Sequence, residues 1–167
     1  SESSDCFRAL FSSLKGGNLI AENGSCFFTG EISFTKLTIK NDITGTWSKI
    51  YKSDIYTSFS GILVSDGKEF TNNTISGVVT GANNTYGLIK CYSNSIVQNN
   101  YIKALSGSDR AALMVRTNGG SLDDQQYISN NIIINEGSGF GVHLYHGSLH
   151  NNYIYSESSY GVYFGSF

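Results

Sequence analysis

The sequence predicts an all-β protein, a parallel β-solenoid preceded by one short helix, and three observations carry that prediction. Charged residues are sparse at 14%, while 11 Tyr, 10 Phe and 19 Gly stand among many Asn, Ser and Thr, with no Pro. That balance favours short strands joined by tight turns. Paired asparagines recur beside aliphatic residues in four places, and a small-residue motif follows each pair. A repeat of this length, rich in strand formers, is the mark of stacked supersecondary units.

The helix is expected first, over residues 4–16. In "SSDCFRALFSSLKGG", Ser4 or Asp5 suits the N-cap, Phe7, Leu10, Phe11 and Leu14 fall at helical spacing, and Gly16 suits the C′ position. Residues 17–69 follow as irregular coils, with "NLIA", "CFF", "EISF" and "KLTI" as strand candidates. Such short strands need neighbours to form a layer. Residues 70–167 carry the regular repeat, and the whole of 1–167 reads as one β domain, expected to be a piece of a longer chain because it does not begin with Met.

Within 70–167 the first motif is apolar-x-Asn-Asn-x-apolar, at Asn72-Asn73, Asn99-Asn100, Asn130-Asn131 and Asn151-Asn152. Successive pairs lie 27, 31 and 21 residues apart. The second motif is Tyr86-Gly87-Leu88, Ala111-Ala112-Leu113, Phe140-Gly141-Val142 and Tyr160-Gly161-Val162, with Ser60-Gly61-Ile62 as an earlier copy. The period is too short for two helices, so each repeat is one coil, with coils about 4.8 Å apart. Asn tolerates left-handed backbone geometry, which bends a strand, and its amide can bond the equivalent amide one coil away. The pairs therefore read as corners of the coil.

The repeated "NNxI" with "YGL", "FGV" and "YGV", and the amphipathic segment running into "KGGNLIAENGSCFF", resemble the pectate-lyase-like parallel β-helix superfamily, and within it bacteriophage tailspike and tail-fibre depolymerases. The resemblance implies a right-handed single-stranded parallel β-helix with a short N-terminal capping α-helix. It also implies a homotrimer on a virion tail or in the extracellular space, binding a bacterial surface polysaccharide, capsule or O-antigen, and cleaving its glycosidic bonds. The alternative is a non-catalytic receptor-binding or structural segment of a tail fibre or surface adhesin.

Candidate site residues follow from counting along the repeat. Positions one and three after the Gly or Ala of the second motif are mostly aliphatic and are expected inward, with Lys90 an unexplained exception. Positions two and four are expected outward: Leu63, Ile89, Met114, His143 and Tyr163, then Ser65, Cys91, Arg116, Tyr145 and Gly165. The apolar lower members, Leu63, Ile89 and Met114, suggest cover by another chain or segment. In the upper coils Arg116, His143, Tyr145 and Tyr163 combine donors with aromatic rings, the mixture that holds sugar. Tyr and Arg are equally common at protein interfaces.

A second column is Glu136 and Glu157, each five residues past its second Asn and so on adjacent coils. Repelling carboxylates can keep one member protonated beside a base, which glycoside hydrolysis requires, at separations of about 5 Å for retention or roughly 6.5–9.5 Å for inversion. Two solvated glutamates splayed apart are the plainer reading. The longest repeat owes its length to "RTNGGSLDDQQ", an insertion at 116–126 that would project Asp123 as a sugar contact and Asp124 as a third catalytic candidate. If the enzyme is instead a uronate lyase, His143 or Arg116 is the base.

Other chemistries find little footing. A formal charge of −2 lacks the basic footprint of a nucleic-acid binder. No apolar run approaches the roughly 18 residues of a membrane span, so no membrane insertion is expected. Cys6, Cys26 and Cys91 are too scattered for a disulfide framework or a metal site and read as small buried hydrophobes. His143, His146 and His150 match no zinc pattern, and no cofactor is expected.

Overall fold

The structure is a computed structural model describing residues 11–21, 26–39, 43–58, 61–64, 67–80, 87–116 and 126–165. The described residues are all β, with no helix. The chain opens with β1 (Phe11–Lys15) and β2 (Asn18–Ala21), then β3 (Cys26–Ser33) and β4 (Lys36–Ile39). Four similar layers follow: β5 (Ile43–Gly45), β6 (Lys49–Tyr51) and β7 (Asp54–Ser58); β8 (Ile62–Val64), β9 (Glu69–Thr71) and β10 (Thr74–Val79); β11 (Gly87–Cys91), β12 (Ile96–Gln98) and β13 (Tyr101–Ser106); β14 (Ala111–Val115), β15 (Tyr127–Ser129) and β16 (Ile132–Asn135). A fifth comprises β17 (Phe140–Leu144), β18 (Ser148–His150) and β19 (Tyr153–Ser156), and β20 (Val162–Phe164) stacks on β17.

From β4 onward each strand pairs in parallel with the strand three positions later in the chain. Strand β3 is long enough to start two stacks, since its first half pairs with β5 and its second half with β6. The result is a 13-stranded sheet with two limbs joined at β3 and a seven-stranded sheet ordered β19-β16-β13-β10-β7-β4-β2. This stacking of parallel sheets is compatible with a parallel β-helix.

The in-register pairing turns the sequence repeat into apolar columns. One runs Leu37, Ile55, Ile75, Ile102, Ile133 through the seven-stranded sheet, and another Ile32, Ile50, Phe70, Val97, Ile128 through one limb. A third, Ile62, Ile89, Leu113, Val142, lines the other limb, and all of these residues belong to one buried core. Alternation explains why they point inward: in β10, Ile75, Gly77 and Val79 are buried while Thr74 is exposed.

The two asparagines of each pair divide the work of the corner. Asn72, Asn99, Asn130 and Asn151 adopt positive φ of 56°, 57°, 57° and 52°, which bends the chain between two sheets. The second asparagines form a ladder. The side-chain amide of Asn73 donates to Oδ1 of Asn100 at 3.2 Å, Asn100 to Asn131 at 3.0 Å, and Asn131 to Asn152 at 2.9 Å. The same Oδ1 atoms also accept from the backbone N–H of the residue one layer below, each at 2.9 Å. Each of these amides further donates to a carbonyl, as Asn100 does to Phe70 at 2.9 Å. Asn73, Asn100 and Asn131 are buried, and a buried amide holds its place only when satisfied in this way. The corner continues downward as Ser53 and Thr35, preceded by Lys52 and Phe34 at positive φ.

Two expectations are corrected. The helix expected over 4–16 is not seen: Phe11–Lys15 is a strand, paired in parallel with β3, and residues 1–10 lie outside the described residues. Helix propensity is a weak prior, and Leu14 packs on the core from a strand that covers the edge of β3. The alignment of 86–91 also slips by one residue. Gly87 stands opposite Ala111 rather than Ala112, so Ile89 and Cys91 face inward and are fully buried. Lys90 thereby joins Met114, His143 and Tyr163 in the outward column and is no exception.

Candidate functional site

The outer face of β14, β17 and β20 gathers four of the residues expected to bind sugar. His143 and Tyr163 share one outward column. Arg116 and Tyr145 follow in the next, just past their strands, with Tyr92 below and Gly165 above. The backbone fixes this: Tyr92 N–H donates to Val64, Arg116 to Cys91, Tyr145 to Val115 and Gly165 to Leu144, at 2.9 to 3.0 Å.

The side chains make one continuous patch. The Arg116 guanidinium lies over the Tyr145 ring, 5.5 Å from its centroid. Tyr145 stacks on His143 at 4.2 Å, and His143 meets Tyr163 edge-on at 5.0 Å. Phe140 completes it, stacking nearly flat on Tyr163 at 4.5 Å and standing edge-on to His143 at 5.5 Å. Tyr160 flanks both Phe140 and Tyr163, at 6.4 and 6.3 Å. His143 and Phe140 are buried and form the floor, Arg116 and Tyr145 are half-buried, and Tyr163 and Tyr160 are exposed. Space for the floor depends on a glycine: a Cβ on Gly165 would fall 2.5 Å from the Tyr145 ring and 2.8 Å from His143 Nε2.

Burial pushes the Tyr145 hydroxyl up from its ordinary value, against a smaller downward pull from Arg116. Burial does the same at Tyr92. Both hydroxyls therefore stay neutral donors at physiological pH. The patch offers flat apolar rings, phenolic donors and one guanidinium, a set that can stack on and hydrogen-bond a polar ring compound.

Phe140 and Tyr160 escape the sequence reading, although each heads a copy of the second motif. Parity turns Phe140 inward with Val142 and Leu144. Instead the consecutive amides of Gly141 and Val142 both donate to the layer above, at 3.1 and 2.8 Å, which breaks strict alternation at the start of β17. The apolar lower part of the same face needs no second chain for cover at Met114, which is fully buried in the single chain.

Glu136 and Glu157 lie where their repeat places them. The ladder between β16 and β19 ends at Asn135 opposite Ser156, and the Glu157 N–H donates to Asn135, so the two backbones stack on adjacent layers. Their side chains differ in company. Glu136 accepts from Lys103 Nζ at 2.9 Å, in the layer on the opposite side from Glu157. Glu157 is exposed and makes no ion pair among the described residues. A three-residue turn joins Glu136 to Phe140 and a two-residue turn joins Glu157 to Tyr160, so the glutamates and the aromatic patch flank one corner. Asp123 and Asp124 lie outside the described residues.

Among the described residues no three His, Cys, Asp or Glu side chains group as a metal site, and no helix is long and apolar enough to cross a membrane. No family model, curated protein or solved structure matches the chain. The comparisons thus lend no support to the tailspike resemblance, and the architecture supports only its coarse form, parallel strands in stacked sheets.

Proposed function

We propose that the protein is a right-handed parallel β-helix of tailspike type that binds a bacterial surface polysaccharide on the face of Arg116, His143, Tyr145, Tyr163, Phe140 and Tyr160. The observation that carries this reading is the continuous aromatic patch beside an Arg on a rigid stack of strands. Rigid aromatics bind sugar faces at low entropic cost, and a preorganised sheet holds them at fixed spacing.

Cleavage extends the proposal to the adjoining corner. Glu157, exposed and without an ion pair among the described residues, serves as one carboxylate. Glu136 serves as the other once substrate displaces Lys103, with Asp124 as a further candidate from the insertion. The same reading carries a homotrimer on a virion tail or outside the cell. The Lys103–Glu136 pair favours a second reading, in which the same face binds glycan without breaking bonds.

A panel of purified bacterial capsules and O-antigens separates these. Binding with release of reducing ends, lost in Glu157→Gln, supports hydrolysis. Reducing ends accompanied by the ultraviolet absorbance of unsaturated uronates indicate a lyase. Binding with neither leaves a recognition module, and no binding to any glycan sinks the carbohydrate reading.

A further inference from the structure

Arg116 is the cation that stands within the aromatic patch, stacked on Tyr145 beside His143. Lys49 pairs with Glu69 and Lys103 with Glu136, whereas among the described residues Arg116 makes no ion pair. Arg116 is half-buried and its guanidinium lies over Tyr145, with Tyr92 in the same column one layer below. A guanidinium held over a ring still presents N–H donors, in the fork geometry that matches a planar carboxylate. Partial burial strengthens such a bond and disfavours leaving the cation without a counter-charge.

The geometry points to a subsite for an acidic sugar unit, its carboxylate bound to Arg116 and its ring resting on Tyr145 and Tyr163. This rests on the carbohydrate reading and adds a charge requirement that overall composition argues against. With a formal charge of −2 the chain has no general attraction for polyanions, so any preference for acidic glycan must come from a local cation. The platform is continuous from the guanidinium through Tyr145 and His143 to Tyr163, so one ring and its carboxylate can be held together.

The test uses bacterial capsules containing glucuronate or galacturonate, each compared by titration calorimetry with the same polymer after its carboxyls are reduced to primary alcohols. Unmodified protein is expected to bind the acidic form at least about tenfold more tightly. Arg116→Gln should erase that difference without lowering the melting temperature, while Arg116→Lys, which keeps the charge but loses the fork, should retain part of it. Reduced polymers bound as tightly as acidic ones would overturn the acidic subsite and leave carbohydrate binding standing. The same holds if Arg116→Gln leaves the preference intact. Failure of acidic, reduced and neutral polymers alike would overturn both. The comparison on unmodified protein decides the question even if a variant folds poorly.

Discussion

Asn100 shows how much one side chain can do at a corner of this fold. Its amide donates to Phe70 and Asn131, and its Oδ1 accepts from both the backbone and the side chain of Asn73. Replacing it with Ala strands donors and acceptors where water does not reach, at roughly 1–3 kcal/mol for each buried group left unsatisfied. Asn100→Ala should therefore cost about 3–5 kcal/mol in urea unfolding. Asn152→Ala, at a half-buried rung, should cost about 1 kcal/mol because water can replace its bonds. Lys52 and Phe34 hold the same left-handed geometry without the tolerance that Asn has for it. Lys52→Asn should raise stability by about 0.5 kcal/mol, after the loss of its exposed contact with the Phe34 ring. Burial pushes the Cys91 thiol far up, which leaves almost no thiolate. Peptide mapping after iodoacetamide treatment should find Cys91 unmodified in native protein and labelled in urea.

At the level of strands, close stacking places backbones where side chains cannot fit. Gly61 sits at φ +72° with its Cβ direction blocked by the Leu88 carbonyl of the next layer. Gly61→Ala should destabilise by about 3 kcal/mol or more, because neither backbone can move without breaking its ladder. Between β6 and β9, Lys49 and Glu69 stand directly opposite and pair at 2.6 Å. The hydrogen bond to Glu69 raises Lys49 above its ordinary value of 10.5. A raised folded-state value means that this contribution is complete below the ordinary Lys range and disappears as pH climbs through the raised value. Each partner is over a third exposed, so solvent screening keeps the effect to a few tenths of a kcal/mol. Unfolding measured from about pH 9 to pH 12 should show that extra loss in the native sequence and not in Lys49→Met. The slip in β11 belongs to this scale as well. Gly87, Leu88 and the two alanines at 111 and 112 leave the alignment ambiguous by one residue, and only pairing with β8 and β14 resolves it.

For the molecule as a whole, nearly every strand meets its partner only after a full layer of intervening chain. Folding should therefore be slow for the size of the protein, and stability should be shared between neighbouring layers. Hydrogen exchange should be slowest in β7, β10, β13 and β14, which have a neighbour on both sides, and faster in β18, β19 and β20, where Leu149, Ile154 and Val162 are only half-buried. Uniform protection across the layers would contradict this. The sequence by itself determined the parallel stacking and the Asn corners, because a repeat of aliphatics around a bend-tolerant, self-pairing side chain leaves few other ways to bury its apolar face. It also singled out Arg116, His143, Tyr145 and Tyr163, whose outward parity is a local property of regular strands. Tertiary structure alone decided what depends on residues far apart in the chain. An open strand edge drew Phe11–Lys15 out of a helix, a break in alternation brought Phe140 under Tyr163, and Lys103 one layer away captured Glu136. Each outcome turns on which neighbour is within a few ångströms, and periodicity along one chain carries no information about that.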